Sequence, residues 1–392
     1  MQDVFVIEAF RTPFGSFGGA FADVPAPRLA APVIKRLLES SGLKGEDIDQ
    51  FIAGQVLTGG VGQAPARQAM RFADLPDTVP AMTINKVCGS GLKAVMLGAD
   101  AIRLGDAGIV IAGGMENMSL APYVLPSLRY GQRMGHAQVL DLMVHDGLTD
   151  PFSGRHMGEM AEVRVDIHEF SRAEQDAYAV RSYQRAQRAI KDGVLAGEIV
   201  PVVKPSRKGD TTVSEDEEPF RVDFERMGGL RPVFKKDGTI TAANASTIND
   251  GAAFLLLAGA DAVKRHGLKP RARIVGVATQ SLHPDLYTDA PVGAIEKACA
   301  KAGLRPEDIG LFEINEAFAV VTMIAIKDLN LDPERVNVNG GAVAIGHPIG
   351  ASGARLATTL IHEMGRRGER YGLATLCIGG GEAVAVVFEL VD

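Results

Sequence analysis

Cys88 sits in the run Val87-Cys88-Gly89-Ser90-Gly91-Leu92-Lys93-Ala94-Val95, and two later glycine-rich runs, Gly340 to Gly353 around His347 and Cys377 to Gly381, carry further reactive side chains. The first run reads as a strand-to-helix junction. Unpaired helix N–H groups and the positive end of the helix dipole would then lie beside the sulfur, a setting that favours thiolate over thiol and makes Cys88 a candidate nucleophile. Gly89 and Gly91 are read as letting backbone approach a bulky acyl group. His347 has proline and glycine on both sides, which marks a shaped turn that holds an imidazole rigidly. Cys377 closes the apolar strand Leu373 to Leu376 and is soon followed by Gly379, Gly380 and Gly381.

Two thiols and an imidazole at one site, without metal-ligand spacing, suit covalent acyl transfer with a second, proton-transferring step. One thiol attacks and the other moves protons. Cys299, inside the apolar helix Ile295 to Ala302, is read as packing. Competing chemistries lack their motifs: G-x-S-x-G, GxxxxGK[ST] and G-x-G-x-x-G are all absent, which argues against a serine hydrolase, a nucleotide-dependent enzyme and a dehydrogenase.

The elements that must position these residues come as a repeat. Ser41-Gly42-Leu43-Lys44-Gly45-Glu46-Asp47-Ile48-Asp49-Gln50-Phe51 reappears roughly 260 residues on as Ala302-Gly303-Leu304-Arg305-Pro306-Glu307-Asp308-Ile309-Gly310-Leu311-Phe312. Gly89-Ser90-Gly91 likewise matches Ala351-Ser352-Gly353, each opening a helix, and the strand ending Ile111-Ala112-Gly113-Gly114 is matched with the one ending Cys377-Ile378-Gly379-Gly380. The fold class is therefore α/β, with two homologous βαβ-rich halves, 1–117 and 250–392. Strands alternating with helices of about 10 to 15 residues predict mostly parallel sheets, one per half, packed around shared helices. Residues 118–249 break the rhythm with the Pro- and Gly-dotted stretch Pro122 to Gly135, a polar helix Arg172 to Lys191 and a loop Pro205 to Phe220. They are read as an inserted loop domain for substrate binding and subunit contacts.

With 392 residues and 46% apolar content the chain can bury a large core. Its net charge of −7 is spread without long blocks, which gives nucleic acid or an anionic membrane no electrostatic footprint. The exception, Glu215-Asp216-Glu217-Glu218, is expected to be a solvated loop. Three scattered cysteines suit a reducing compartment rather than a disulfide framework or a zinc ribbon. Val4 to Ile7 reads as a strand rather than a signal peptide, and the longest apolar run, Ala252 to Ala258, is too short to cross a bilayer, so the expected location is cytoplasmic.

Together these runs resemble the thiolase family over essentially the whole chain. Val87 to Ala94 is similar to its active-site cysteine motif, Gly113 to Ser119 to the strand closing the first half, Asn315-Glu316-Ala317-Phe318 to the NEAF motif, Asn339 to Gly353 to the GHP motif and Cys377-Ile378-Gly379 to the CxG motif. Within the family, Gly62 to Gln68, His156-Met157-Gly158 and Thr241 to Ser246 most resemble the biosynthetic, short-chain acetoacetyl-CoA thiolases. The resemblance implies a layered αβαβα core and acetyl-CoA C-acetyltransferase activity, the reversible condensation of two acetyl-CoA to acetoacetyl-CoA and CoA through acetyl-Cys88. It implies Cys377 as the α-proton base and His347 as the group that deprotonates Cys88. One oxyanion hole would be His347 with a water held by Asn315, and a second the backbone N–H groups of Cys88 and Gly379. Ser246, His156, Met157 and Arg221 would bind the acyl-CoA, with Arg221 near the nucleotide end. No cofactor and no metal is implied beyond coenzyme A and acyl-CoA as substrates.

Two stretches depart from the family pattern. Tyr287-Thr288-Asp289-Ala290-Pro291 stands where a glycine-rich or small stretch is usual beside the acyl pocket, so Tyr287 is a candidate for setting chain length or branch tolerance. Glu382 stands where many relatives carry a small or apolar residue. Glu218 is followed by Pro219-Phe220 rather than by a tyrosine, so potassium activation is not expected. The alternative within the family is a degradative 3-ketoacyl-CoA thiolase of broader chain length. Tyr123 to Leu142, with Arg129, Arg133 and His136, resembles the loop that pairs thiolase dimers, which implies a homotetramer.

Overall fold

In Ala252-Ala253-Phe254-Leu255-Leu256-Leu257-Ala258 every residue is apolar, so a strand built from it has no face for water and must be covered on both sides. It is: Leu255 and Leu257 enter one core while Phe254 and Leu256 enter another, as the two-residue period of a strand requires. The computed structural model describes residues 2–205 and 209–391. Nine strands carry the architecture: β1 (Val4–Arg11), β2 (Gln50–Gly54), β3 (Ala81–Ile84), β4 (Ile109–Asn117), β5 (Asn249–Gly259), β6 (Ala272–Ser281), β7 (Leu311–Ile314), β8 (Tyr371–Ile378) and β9 (Glu382–Leu390). They are hydrogen-bonded in the order β7-β8-β9-β6-β1-β5-β4-β2-β3.

The helices that cover them are α1 (Ala26–Ser41), α2 (Pro65–Phe72), α3 (Ser90–Leu104), α4 (Met157–His168), α5 (Arg172–Lys191), α6 (Ala290–Ala302), α7 (Ala319–Asp328) and α8 (Ser352–Arg367). The central core joins α3 and α8, through Leu92, Val95, Leu356 and Leu360, to strands of both halves, such as Val110 and Leu257 on one side and Leu376 and Val386 on the other. A second core packs α1 and α2 on the outer face of the first half, and a third packs α6 on the outer face of the second. The layers therefore run helix, sheet, helix, sheet, helix.

Three expectations change. Alternating strands and helices predict mostly parallel sheets, but along the path only β7 with β8, β4 with β2 and β2 with β3 pair in parallel, and the other neighbours are antiparallel. The duplication predicts a separate sheet for each half, but Phe5 and Val6 of β1 pair with Arg273 and Ala272 of β6, so the halves share one hydrogen-bonded path. Residues from 250 onward, read as the start of the second half, form β5, which pairs with β1 and β4 of the first. Each half then ends on the same hairpin, β4 to β5 and β8 to β9. The insertion fills the turn between β4 and β5, where the second half has only Gly379 to Gly381.

The register also corrects the strand equivalence. Gln50 pairs with Val110 and its repeat mate Leu311 with Gly372, so Cys377 corresponds to Met115, not to Ile111. In the insertion, α5 spans the expected Arg172 to Lys191 and opens on a capping box of Ser171 and Glu174. The expected loop Pro205 to Phe220 includes residues 206–208, which lie outside the described residues. Its acidic tetrad is only partly solvated: Glu215 is exposed, but Asp216 is buried and receives Arg11 Nη1 at 2.7 Å and Nη2 at 2.9 Å, and Glu217 accepts the N–H groups of Ser16 and Ala20. The tetrad fastens the insertion to the first half, because the buried Arg11 needs anionic partners.

Candidate active site

The turn that presents Cys88 is held under strain. Val87 has φ +45°, a left-handed conformation that a β-branched residue adopts at a cost on the order of 1–3 kcal/mol. Ser90 locks it: its Oγ donates to Val87 O at 2.7 Å and accepts from Lys86 N at 2.8 Å. The glycines of this run serve packing rather than an acyl group, which corrects the sequence reading. A Cβ on Gly89 would lie 2.3 Å from Ile378 Cδ1, and one on Gly91 would lie 2.9 Å from Ala354 N, where α3 meets the start of α8.

Cys88, His347, Cys377, Gly379, Tyr287, His156, Met157 and Ser246 all line one cavity of about 310 Å³, with Phe234 and Phe318 among its apolar walls. Cys88 is half-buried and opens on it, whereas Cys377 is fully buried. Burial pushes the Cys88 thiol up to about 11, although the neighbouring backbone amides of Gly379 and of Cys88 itself pull the other way. The preference for thiolate expected from the helix start is thus outweighed by desolvation, which favours the neutral thiol. Burial, with Cys88 alongside, also holds the Cys377 thiol well above the usual range.

His347 is oriented at both ends. Its backbone N–H donates to Asn249 Oδ1 at 3.0 Å, and Gly346, at φ +99°, leaves room for that asparagine, which a Cβ would approach to 2.2 Å. Its Nδ1 lies 2.5 Å from Ser352 Oγ, whose own hydrogen is directed to Pro348 O at 2.8 Å. The serine therefore accepts from Nδ1–H, which leaves Nε2 as the basic nitrogen. Burial, reinforced by the Arg355 guanidinium, lowers the imidazole to about 3. Asn315 follows β7 and turns its Nδ2 to within 3.4 Å of His347 Nε2. Its Oδ1 is buried and meets no donor among the described residues, a polar atom suited to hold a water.

Tyr287 roofs the cavity with its hydroxyl on Met157 O at 2.8 Å. The His156 ring stacks on Phe234 at 4.8 Å between centroids, and Ser246 Oγ donates to Ala317 O at 3.0 Å. Arg221 is not in this cavity. It is exposed and lines a neighbouring depression that shares Ser246 and Thr247 with the cavity wall, so the two are continuous. Cys299 is buried in α6, away from the cavity.

The sequence reading missed three supports. From the sequence, Ser352 reads only as part of a helix start. Glu116 appeared only as part of a motif, yet its carboxylate accepts the N–H groups of Val56, Leu57 and Gly350 just behind Cys88. An acid inside the apolar strand Ile109–Asn117 is the signal that was available. Glu316 accepts from Tyr178, Ser182, Asn337 and Val343 N, fixing the His347 loop against α5. Among the described residues no group of three or more His, Cys, Asp or Glu is arranged to hold a metal ion, and no helix is long and apolar enough to cross a membrane.

Comparison with known proteins agrees with this geometry. The family model described as "Thiolase, N-terminal domain" matches residues 4–261, and "Thiolase, C-terminal domain" matches residues 268–390. An acetyl-CoA acetyltransferase of Chromobacterium violaceum is 54% identical over 99% of this chain and 100% of its own, and one of Pseudomonas aeruginosa is 52% identical over 98% and 99%. The crystal structure of the Bacillus anthracis acetyl-CoA acetyltransferase, 42% identical, superposes with a TM-score of 0.97 over 100% of this chain and 99% of that one. Both halves, the insertion between them, and the cysteines and histidine around one cavity have the same explanation: the chain belongs to the thiolase family.

Proposed function

We propose that the protein is an acetyl-CoA C-acetyltransferase that condenses two acetyl-CoA into acetoacetyl-CoA and CoA, reversibly, through acetyl-Cys88. The observation that carries this reading is the meeting of Cys88, His347 and Cys377 on one small, mostly apolar cavity. The names of the full-length relatives support the acetyl substrate. No cofactor or metal enters the scheme.

Cys88 attacks the thioester carbonyl as His347 Nε2 takes its proton, while the N–H groups of Cys88 and Gly379 hold the oxyanion. Cys377, kept protonated by burial, gives its proton to the departing CoA sulfur and so becomes the thiolate base for the next step. The second acetyl-CoA loses its α-proton to Cys377. Its enolate oxygen is held by the protonated His347 and by the water on Asn315, and its carbon attacks the acetyl group. Collapse frees Cys88, which recovers its proton from His347, and both thiols end as they began.

Ser246, His156 and Met157 border the pantetheine and acyl ends, with Arg221 toward the nucleotide. Tyr287 limits the acyl chain. The enzyme works in the cytoplasm as a homotetramer. The hairpin of Tyr123–Val124 and Leu140–Asp141 supports that assembly, because the intervening loop exposes the large apolar side chains of Leu128, Tyr130 and Met134, which a subunit contact would cover. Sedimentation at micromolar concentration should show tetramers, and dimers alone would reject this part. The activity is tested by CoA-dependent thiolysis of 3-ketoacyl-CoA substrates from about four to sixteen carbons, with 2-methylacetoacetyl-CoA included. A sharp maximum at the shortest chain is expected, and rates that rise with length would overturn the acetyl assignment.

A further inference from the structure

A charged bridge spans the two active-site turns and takes no part in the chemistry above. Lys86 stands two residues before Cys88, and its Nζ is paired with Glu382 Oε2. Glu382 opens β9 immediately after the Gly379 to Gly381 turn, and its other oxygen receives Ser281 Oγ at 3.0 Å. The partners are 296 residues apart, one from each half of the repeat. Their side chains are 21% and 31% exposed, so solvent screens them less than it would a pair on the open surface.

Both ends are mounted on the parts that matter. Lys86 belongs to the Cys88 turn itself, since its N–H donates to Ser90 Oγ and its carbonyl accepts Gly89 N at 3.0 Å. Glu382 pairs in register with Ile378, the residue packed against Gly89. Between them, Gly380 and Gly381 sit at φ +92° and +91°, and this turn has no side chains of its own to stiffen it. Two contacts set the gap between the turns: Ile378 against Gly89, and the ion pair.

We propose that Lys86 and Glu382 form a positioning pair that holds the Gly379 amide at the distance from Cys88 that the acyl-enzyme step needs. This rests on the oxyanion role given to Gly379 above. The experiment is thiolysis of acetoacetyl-CoA by K86M, E382M, E382Q, the K86M/E382M double variant and the exchanged K86E/E382K. Each single variant should lose kcat about tenfold with KM for CoA within about twofold, because sub-ångström displacement of an oxyanion donor acts on the transition state. E382Q keeps the size of the side chain and its contact to Ser281, and should fall with E382M. The double variant should be no worse than either single, and the exchange should recover most of the loss, which a merely structural contribution would not produce.

Single variants at wild-type kcat, or additive losses with no recovery on exchange, would overturn the pairing. Intact-mass measurement of acetyl uptake from acetyl-CoA separates this from the underlying scheme. Wild-type enzyme that takes up no acetyl group sinks the acyl-enzyme reading, whereas acetylated wild type beside fully active pair variants sinks only the positioning role.

Discussion

The start of α3 and the start of α8 are the same piece of structure used twice, and they differ in what they hold. In the first half, Ser90 accepts a backbone N–H and donates to Val87 O, so its hydroxyl shapes the turn that raises Cys88. In the second, Ser352 donates to Pro348 O and accepts from His347 Nδ1, so the equivalent hydroxyl orients a side chain instead. The strand ends diverge as well: the first half places Met115 and Glu116 where the second has Cys377 and Ile378. Because α3 and α8 meet through Gly91 and Gly353, with a Cβ on Gly353 falling 2.5 Å from Leu92 N, the two specialised ends open on one cavity. In the proposed scheme a duplicated scaffold thus supplies the nucleophile from one copy and the proton-handling groups from the other.

The division breaks first at the thiols. Cys88→Ser should abolish acetyl-enzyme and lower turnover by at least about 10³-fold, since the weaker nucleophile occupies a site tuned to sulfur. Cys377→Ala should still take up acetyl from acetyl-CoA, as intact mass would show, yet lower condensation by about 10²- to 10⁴-fold, the usual span for a lost general acid or base. If both thiol variants lose acylation and condensation together, the halves do not divide the labour in this way.

A smaller effect separates the two strand ends. Burial raises Glu116 to about 7, against the pull of the N–H groups of Val56, Leu57 and Gly350. Its folded value lies above the unfolded one, so its stabilising contribution is full below pH 4.5 and is lost as pH rises through about 7. Wild-type protein should therefore lose about 2–3 kcal/mol from this group between pH 5 and 8, at about 1.4 kcal/mol per unit. Glu116→Gln cannot ionise and should lack that component. Denaturant unfolding at the two pH values checks it, and parallel pH dependences in both proteins would remove Glu116 as a titrating support.

Much of this was legible in the sequence because local rules carry it. Glycine and proline around His347 and Cys88 report shaped turns, and the repeated Gly-Leu-x-x-Glu-Asp-Ile segment reports the two halves. The strand equivalence slipped because both strands run into double glycines, Gly113-Gly114 and Gly379-Gly380, while hydrogen-bond register aligns Val110 with Gly372. Asp216 was unreadable for another reason. Whether an acid is solvated depends on its partner, and Arg11 lies 205 residues away in the chain. The Cys88 thiol was misjudged because a helix start is a local feature, whereas the desolvation that opposes it comes from both halves and the insertion closing over one cavity.

The finest comparison is between the two serines. Ser352→Ala removes the acceptor of His347 Nδ1–H and frees the imidazole to adopt the other tautomer, which would direct a proton rather than a lone pair toward the cavity. It should lower kcat about tenfold or somewhat more with little change in KM, and leave the melting temperature close to wild type. Ser90→Ala leaves the part-buried Lys86 N–H without its partner and should appear mainly as lost stability, on the order of 1 kcal/mol. Part of that loss would reach kcat through the Val87 turn, so the informative quantity is the ratio of catalytic to stability loss in each variant. If the two ratios are equal, the hydroxyls do the same job in both halves; a larger ratio for Ser352 locates the histidine's orientation in the one hydrogen bond the repeat redirected.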